Sequence, residues 1–255
     1  MKRIILVFFT LLGVEIAFAE NPRRVGDFSL LDHNGYFHQL SRLSESRAVV
    51  LYVYGNSCSS SSDAIPKLNL LQEKYEARGI EFLMLDPFHE DTRESVSQKL
   101  DPAGNLVPVL MDRSQLVSQS LGVRSSGEVL VIDPKRMSLI YRGAIDSRAL
   151  GEQNAIGRNY LEEVLSAVVI GASVISDVPW TKGESVAYSN TAEINSRDLS
   201  YVNDVVPILQ KRCVTCHRAG GVAPWAMSSH EMVRGWGEMI RETILTMRMP
   251  GGTTN

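Results

Sequence analysis

Cys213-Val214-Thr215-Cys216-His217 places two thiols and an imidazole within five consecutive residues. The chemistry that needs this order is covalent haem attachment. Each thiol adds across a vinyl group to make a thioether, and the adjacent imidazole lies under the iron as proximal ligand. Cys213 and Cys216 are therefore read as thioether anchors, His217 as the proximal iron ligand, and haem c as the cofactor. The competing reading is half of a zinc site. Structural zinc takes four ligands, and the sequence holds no second Cys pair and no paired histidines.

The N-terminus agrees with haem attachment. Lys2 and Arg3 precede an almost wholly apolar run from Ile4 to Val14, and Ala17-Phe18-Ala19 closes it as a small-x-small cleavage site. Residues 1–19 read as a secretory signal peptide, too short for an easy membrane span. Export would take the chain to the bacterial periplasm, where haem is attached to such motifs. Removing the signal takes the net charge from −3 to −4. Apolar residues make up 44% of the chain and charged residues 22%, a globular balance. Basic residues form no stripe, so nucleic acid is not an expected partner.

A third cysteine, Cys58, is left over. In an exported protein such a thiol is reactive, pairs with another chain, or buries a small apolar group. It lies in Ser57-Cys58-Ser59-Ser60-Ser61-Ser62-Asp63, a run of helix N-capping residues. Unpaired N–H groups and the helix dipole at such a position favour the thiolate. The charged Glu73, Lys74, Glu76 and Arg78 read as a solvated helix face.

The elements that must position these groups follow from periodicity. Two short extended runs flank Asn34-Gly35, a hairpin signal. Ala48 to Tyr54 is a continuous β-rich apolar run that suits a buried strand. A helix then carries Ile65, Leu68, Leu71 and Tyr75 on one side and stops near Gly79. Further strands are expected at 80–85, 107–111, 129–133 and 138–141, and further helices at 90–99, 116–121 and 160–169. Alternating strands and helices imply an α/β layer fold. The domains are read as 20–176, a linker at 177–197, and a second unit at 198–255.

This order resembles the thioredoxin superfamily, and within it the redoxin branch with the alkyl hydroperoxide reductase and thiol-specific antioxidant group. The resemblance covers roughly residues 23 to 170. It is carried by Val25-Gly26-Asp27-Phe28, the Cys58 turn after a buried strand, Pro66 in the following helix, and Leu121-Gly122-Val123 ahead of Val129-Leu130-Val131-Ile132-Asp133. It implies a thioredoxin-like mixed sheet flanked by helices, with Cys58 as the candidate catalytic thiol. The chain departs from the family at four places. Ser61 stands where a C-x-x-C pair has its resolving thiol, and Gly127 where the family has a cis-proline. Leu51 and Gly55 occupy the proline and hydroxyl positions of the peroxide-reducing signature. Two readings of Cys58 follow: a one-cysteine redox or peroxide-reactive site, or a relic thiol on a partner-binding scaffold. A copper site joining Cys58 to His33, His38 or His89 is a third reading, although copper-delivery relatives use two cysteines.

The chain from Asp204 to Pro250 is similar to c-type haem modules that follow redoxin domains in exported bacterial proteins. The carriers are VVPILQKRCVTCH, GGVAPWAM and RETILTMRMP. The resemblance implies a small all-α cytochrome c-like domain, entered by an amphipathic helix through Val202, Val205, Val206 and Leu209. Met249-Pro250 is similar to the Met-Pro of small cytochromes c, which makes Met249 the first candidate for the distal iron ligand. Met227, Met239, Met247 and His230 are its rivals, and Trp225 and Trp236 are read as porphyrin-packing or core residues. The expected function is electron transfer in an exported redox protein. As an enzyme, the chain would be an oxidoreductase of thiol–disulfide or peroxide type. Its partners would be redox proteins, with no membrane span after signal cleavage.

Overall fold

The computed structural model describes residues 23–151, 157–174, 181, 183–188 and 198–248. The signal segment 1–19, most of the 177–197 stretch, and Met249 lie outside these residues.

The hairpin signal forms β1 (Ser29–Leu31) and β2 (Phe37–Gln39), antiparallel, with Gly35 at φ +88° in the turn. A positive φ there is open to glycine at no steric cost. A five-stranded mixed sheet follows, in the order β5-β4-β3-β6-β7. Its members are β3 (Ala48–Val53), β4 (Ile80–Asp86), β5 (Val109–Met111), β6 (Val129–Asp133) and β7 (Ser138–Gly143). β3 pairs parallel with β4 and antiparallel with β6, and β4 pairs parallel with β5. The sequence expectation of an antiparallel 129–133/138–141 pair is met, with one bulge between Val131 and Ile132.

β3 is central and buried on both faces, which explains its unbroken apolar run. Alternate residues feed two cores. Val50 and Tyr52 pack with Ala64, Ile65 and Leu68 of α1 (Ser59–Tyr75), Val96 of α2 (Arg93–Leu100) and Leu161 and Leu165 of α4 (Tyr160–Ile170). Val49, Leu51 and Val53 pack with Phe28, Leu30 and Leu40, and with Val117 and Leu121 of α3 (Leu116–Leu121). Helices therefore flank the sheet on both sides, and residues 23–170 form a thioredoxin-like α/β domain.

The stretch read as a linker is not a free connector throughout. Ser185 forms an antiparallel bridge to Ser125, and Val186 is buried in the second core. Little apolar periodicity marks residues 183–188, because their hold on the domain is mostly backbone hydrogen bonding.

Within 198–248, short helices flank a turn-rich stretch at 213–229. A turn of π-helix, Tyr201–Val205, leads into α5 (Val206–Arg212). Pro207 does not interrupt the helix. It sits in the first turn, where a missing N–H costs nothing. α6 (His230–Gly235) and α7 (Gly237–Leu245) follow, and Leu245 inserts into the second core of the first domain. Among the described residues, no helix is long and apolar enough to cross a membrane.

Candidate functional site

Cys58 is the residue immediately before α1, with extended backbone at φ −81°, ψ 123°. Its approach is set by the tight Gly55–Cys58 turn, in which Cys58 N–H donates to the Gly55 carbonyl at 3.1 Å. A Cβ on Gly55 would lie 2.8 Å from a Phe88 ring carbon. The packing of Phe88 therefore excludes the hydroxyl residue of the peroxide-reducing signature from this position. Ser61, at the place of a resolving thiol, is fully buried and accepts a hydrogen bond from Gly55 N–H at 3.1 Å. It shapes the turn.

The Cys58 sulfur is half-buried and is surrounded by donors. Ser126 Oγ donates to it at 3.1 Å, and Ser60 Oγ lies 3.0 Å away. Burial alone pushes the thiol up. The Ser126 and Ser60 hydroxyls, with the backbone N–H groups of Glu184 and Ser60, outweigh it and bring the pKa down to about 7. The first turn of α1 thus contributes Ser60, through its hydroxyl and its N–H, while Ser126 and Glu184 come from elsewhere. Ser126 is buried and precedes Gly127, whose φ of +81° lets its N–H reach the Val53 carbonyl at 2.7 Å. Ser126, Ser60 and Glu184 were missed in the sequence reading. The one available signal was Ser125-Ser126-Gly127 just ahead of a strand, at the place of the family's cis-proline.

The three histidines offered as copper partners are engaged elsewhere. His33 Nδ1 accepts from Val109 N–H at 3.2 Å, His38 Nε2 meets Asp32 Oδ2 at 2.9 Å, and His89 pairs with Glu90. Among the described residues, no group of three or more His, Cys, Asp or Glu side chains converges as a metal site. Cys213, Cys216 and His217 accordingly do not form a closed zinc-type cluster.

These three residues follow directly from the end of α5. His217 N–H donates to the Cys213 carbonyl at 2.9 Å, which makes one helical turn of the C-x-x-C-H motif. No disulfide joins the cysteines. Cys213 is half-buried, which pushes its thiol up, and Cys216 is exposed. His217 is buried, with its Nδ1 3.0 Å from the Trp225 carbonyl oxygen. A carbonyl oxygen only accepts, so Nδ1 is the donor of this bond, and in the neutral ring the lone pair is on Nε2. Trp225 lies edge-on to His217 at 5.0 Å between ring centroids and stacks on Trp236 at 5.4 Å. Of the distal candidates, Met227 is half-buried and donates its N–H to the His217 carbonyl at 2.8 Å. His230 packs on Tyr201 at 4.3 Å, Met239 and Met247 are exposed, and Met249 lies outside the described residues.

Comparisons agree with this architecture. Residues 23–143 match the AhpC/TSA family. A hypothetical protein from Sinorhizobium meliloti superposes with a TM-score of 0.59 at 23% identity, covering 65% of this chain and 92% of that one. An uncharacterized conserved protein from Geobacillus kaustophilus gives 0.60 at 19% identity, over 69% and 95% of the two chains. No curated protein matches the chain. With the sheet order, the thiol at the start of α1 and the match of residues 23–143 to the AhpC/TSA family model, this part of the chain has a thioredoxin-like fold and is similar to that family.

Proposed function

We propose that this is an exported, periplasmic redox protein that couples the thioredoxin-like domain to one covalently held haem c. Cys213 and Cys216 would be the thioether anchors and His217 the proximal ligand. The observation that carries the haem reading is the His217 Nδ1 bond to the Trp225 carbonyl, which fixes the ring and leaves Nε2 as its only ligating nitrogen. Two unpaired thiols on the preceding turn fit the attachment chemistry. When bound, haem would supply one-electron chemistry, with Met249, Met227, Met239, Met247 and His230 as the candidates for a second ligand.

Cys58 serves as a thiolate nucleophile at neutral pH, supported by its donor set and a pKa of about 7. Its thiolate attacks a sulfur of a partner's disulfide. The new S–S bond forms as the old one breaks, and the partner's other sulfur leaves as a thiolate. Since Ser61 replaces a resolving thiol, a thiol from outside the domain must release the mixed disulfide. In the competing reading, the domain is a binding scaffold and haem the sole redox centre.

Expression with a haem-attachment system tests the proposal. The expected product begins at Glu20, carries the mass of one haem and shows a c-type visible spectrum. A matured, colourless protein without porphyrin mass overturns it. Cys58→Ser then separates the two readings of the thiol, because disulfide exchange that persists in this variant removes Cys58 from the chemistry.

A further inference from the structure

The backbone of Arg124–Ser126, just ahead of β6 and beside Cys58, is paired by the chain itself. Ser126 N–H donates to the Glu184 carbonyl at 2.8 Å, and Val186 N–H to the Arg124 carbonyl at 2.8 Å. Glu184 N–H reaches Ser126 Oγ at 2.9 Å and also serves as a donor to the Cys58 sulfur. The Glu184 carboxylate accepts from Ser57 Oγ at 3.1 Å, on the other flank of the thiol. The approach is so close that a Cβ on Gly183 would lie 1.8 Å from the Ser126 carbonyl oxygen. Farther along, Val186 is buried, Tyr188 OH donates to the Val123 carbonyl at 2.6 Å, and Gln115 Nε2 to the Ala187 carbonyl at 3.0 Å.

Main-chain pairing to an edge, with one side chain anchored, is how an added extended strand binds. We propose that residues 183–188 are a built-in strap that gates Cys58, and that an extended polypeptide segment of a partner displaces it from the Arg124–Ser126 backbone. The proposal rests on Cys58 being the reactive thiol, and it names the class of partner. The strap has two opposed effects. It covers the sulfur on the Ser126 side, and it supplies the Glu184 N–H that helps hold the thiolate. A partner strand in the same register would restore that donor while bringing its own chain beside the sulfur. Simple loss of the strap would leave a more accessible but less acidic thiol. The titratable groups facing Cys58 are Tyr52 from β3 and the Glu184 carboxylate from the strap. Burial holds the Tyr52 hydroxyl neutral.

Two variants of the full chain test this: Gly183→Ala, which forces the strap off Ser126, and Val186→Asp, which removes its anchor. The readout is the rate of iodoacetamide labelling at Cys58 across pH, followed by peptide mass so that Cys213 and Cys216 do not contribute. Both variants should show an upward-shifted midpoint and a high-pH plateau at least about three-fold above the unaltered chain. A synthetic peptide of the 181–188 sequence, added in trans, should return both quantities toward the starting values. An unchanged midpoint and plateau in both variants overturns the strap. A changed profile that the peptide does not restore overturns the extended-strand partner. Normal strap behaviour without disulfide exchange would instead remove the thiol function while leaving the gate intact.

Discussion

At Cys58, burial and hydrogen bonding pull the thiol in opposite directions, and the donors win. Two hydroxyls and two backbone N–H groups reach a sulfur that remains half-open to solvent. Each such bond is worth about 0.5–1.5 kcal/mol, so removing one costs roughly two- to seven-fold in thiolate population at pH 7. Ser126→Ala is therefore expected to slow labelling of Cys58 at pH 7 by that factor and to leave the high-pH rate nearly unchanged. A pH profile of alkylation separates this effect from a loss of access. In the unaltered chain the rate should be half-maximal near pH 7 and fall below it as the thiol takes up its proton. Gly55 is a second single-residue constraint. Gly55→Thr would restore the peroxide-signature hydroxyl at its sequence position, yet the Phe88 ring occupies that space. The expected outcome is a loss of about 1–3 kcal/mol in denaturant unfolding, without gain of peroxide turnover.

The elements that position Cys58 were legible because they announce themselves locally. β3 reads from an unbroken apolar run, α1 from its periodic Ile65, Leu68 and Tyr75, and the hairpin from Asn34-Gly35. The partners of the sulfur were not legible. Ser126 and Glu184 lie 68 and 126 residues beyond Cys58 and reach it through backbone pairing, which leaves no local pattern. The same holds for the carboxylates at the end of β4. Asp86 is fully buried and accepts Phe88 N–H at 2.9 Å, while Asp91 accepts Asn56 N–H at 3.0 Å, tying this corner to the Cys58 turn. Burial, with Asp91 alongside, pushes the Asp86 carboxyl up to about 8. Its native state thus holds a proton that the unfolded chain releases above the ordinary carboxylate range. Stability from this group is full at low pH and declines as pH rises toward 8. Cys58 acts with the opposite sign, but only from about pH 7 upward. Between pH 5 and 7, Asp86→Asn should flatten the fall of the urea midpoint with pH. An equal slope in both proteins would show that Asp86 is not the titrating group.

Across the whole molecule, the two regions differ in how much they bury. The thioredoxin-like domain packs two cores against one sheet, whereas the C-terminal helices leave apolar side chains in water. Val202 is 68% exposed, Ile208 62% and Val222 91%. Among the described residues from 198 onward, only His217, Val233, Leu245 and Thr246 are buried, and Leu245 belongs to the first domain's core. A segment of this size with so little internal core cannot offset its own ordering entropy. The proposed covalently held porphyrin would offer the missing apolar surface, and the Trp225–Trp236 stack and the His217 ring lie beside one another where it would bind. The physical consequence is a stability split along the chain. Haem attachment should protect residues 198–248 while leaving the first domain's unfolding midpoint nearly unchanged. Limited proteolysis of the holoprotein and of a Cys213→Ser/Cys216→Ser variant measures this directly. The variant is expected to be cut within 198–248 at least about ten-fold faster, and a fragment spanning the thioredoxin-like domain should persist in both digests. Equal cutting rates would mean that the C-terminal helices are held by something other than haem.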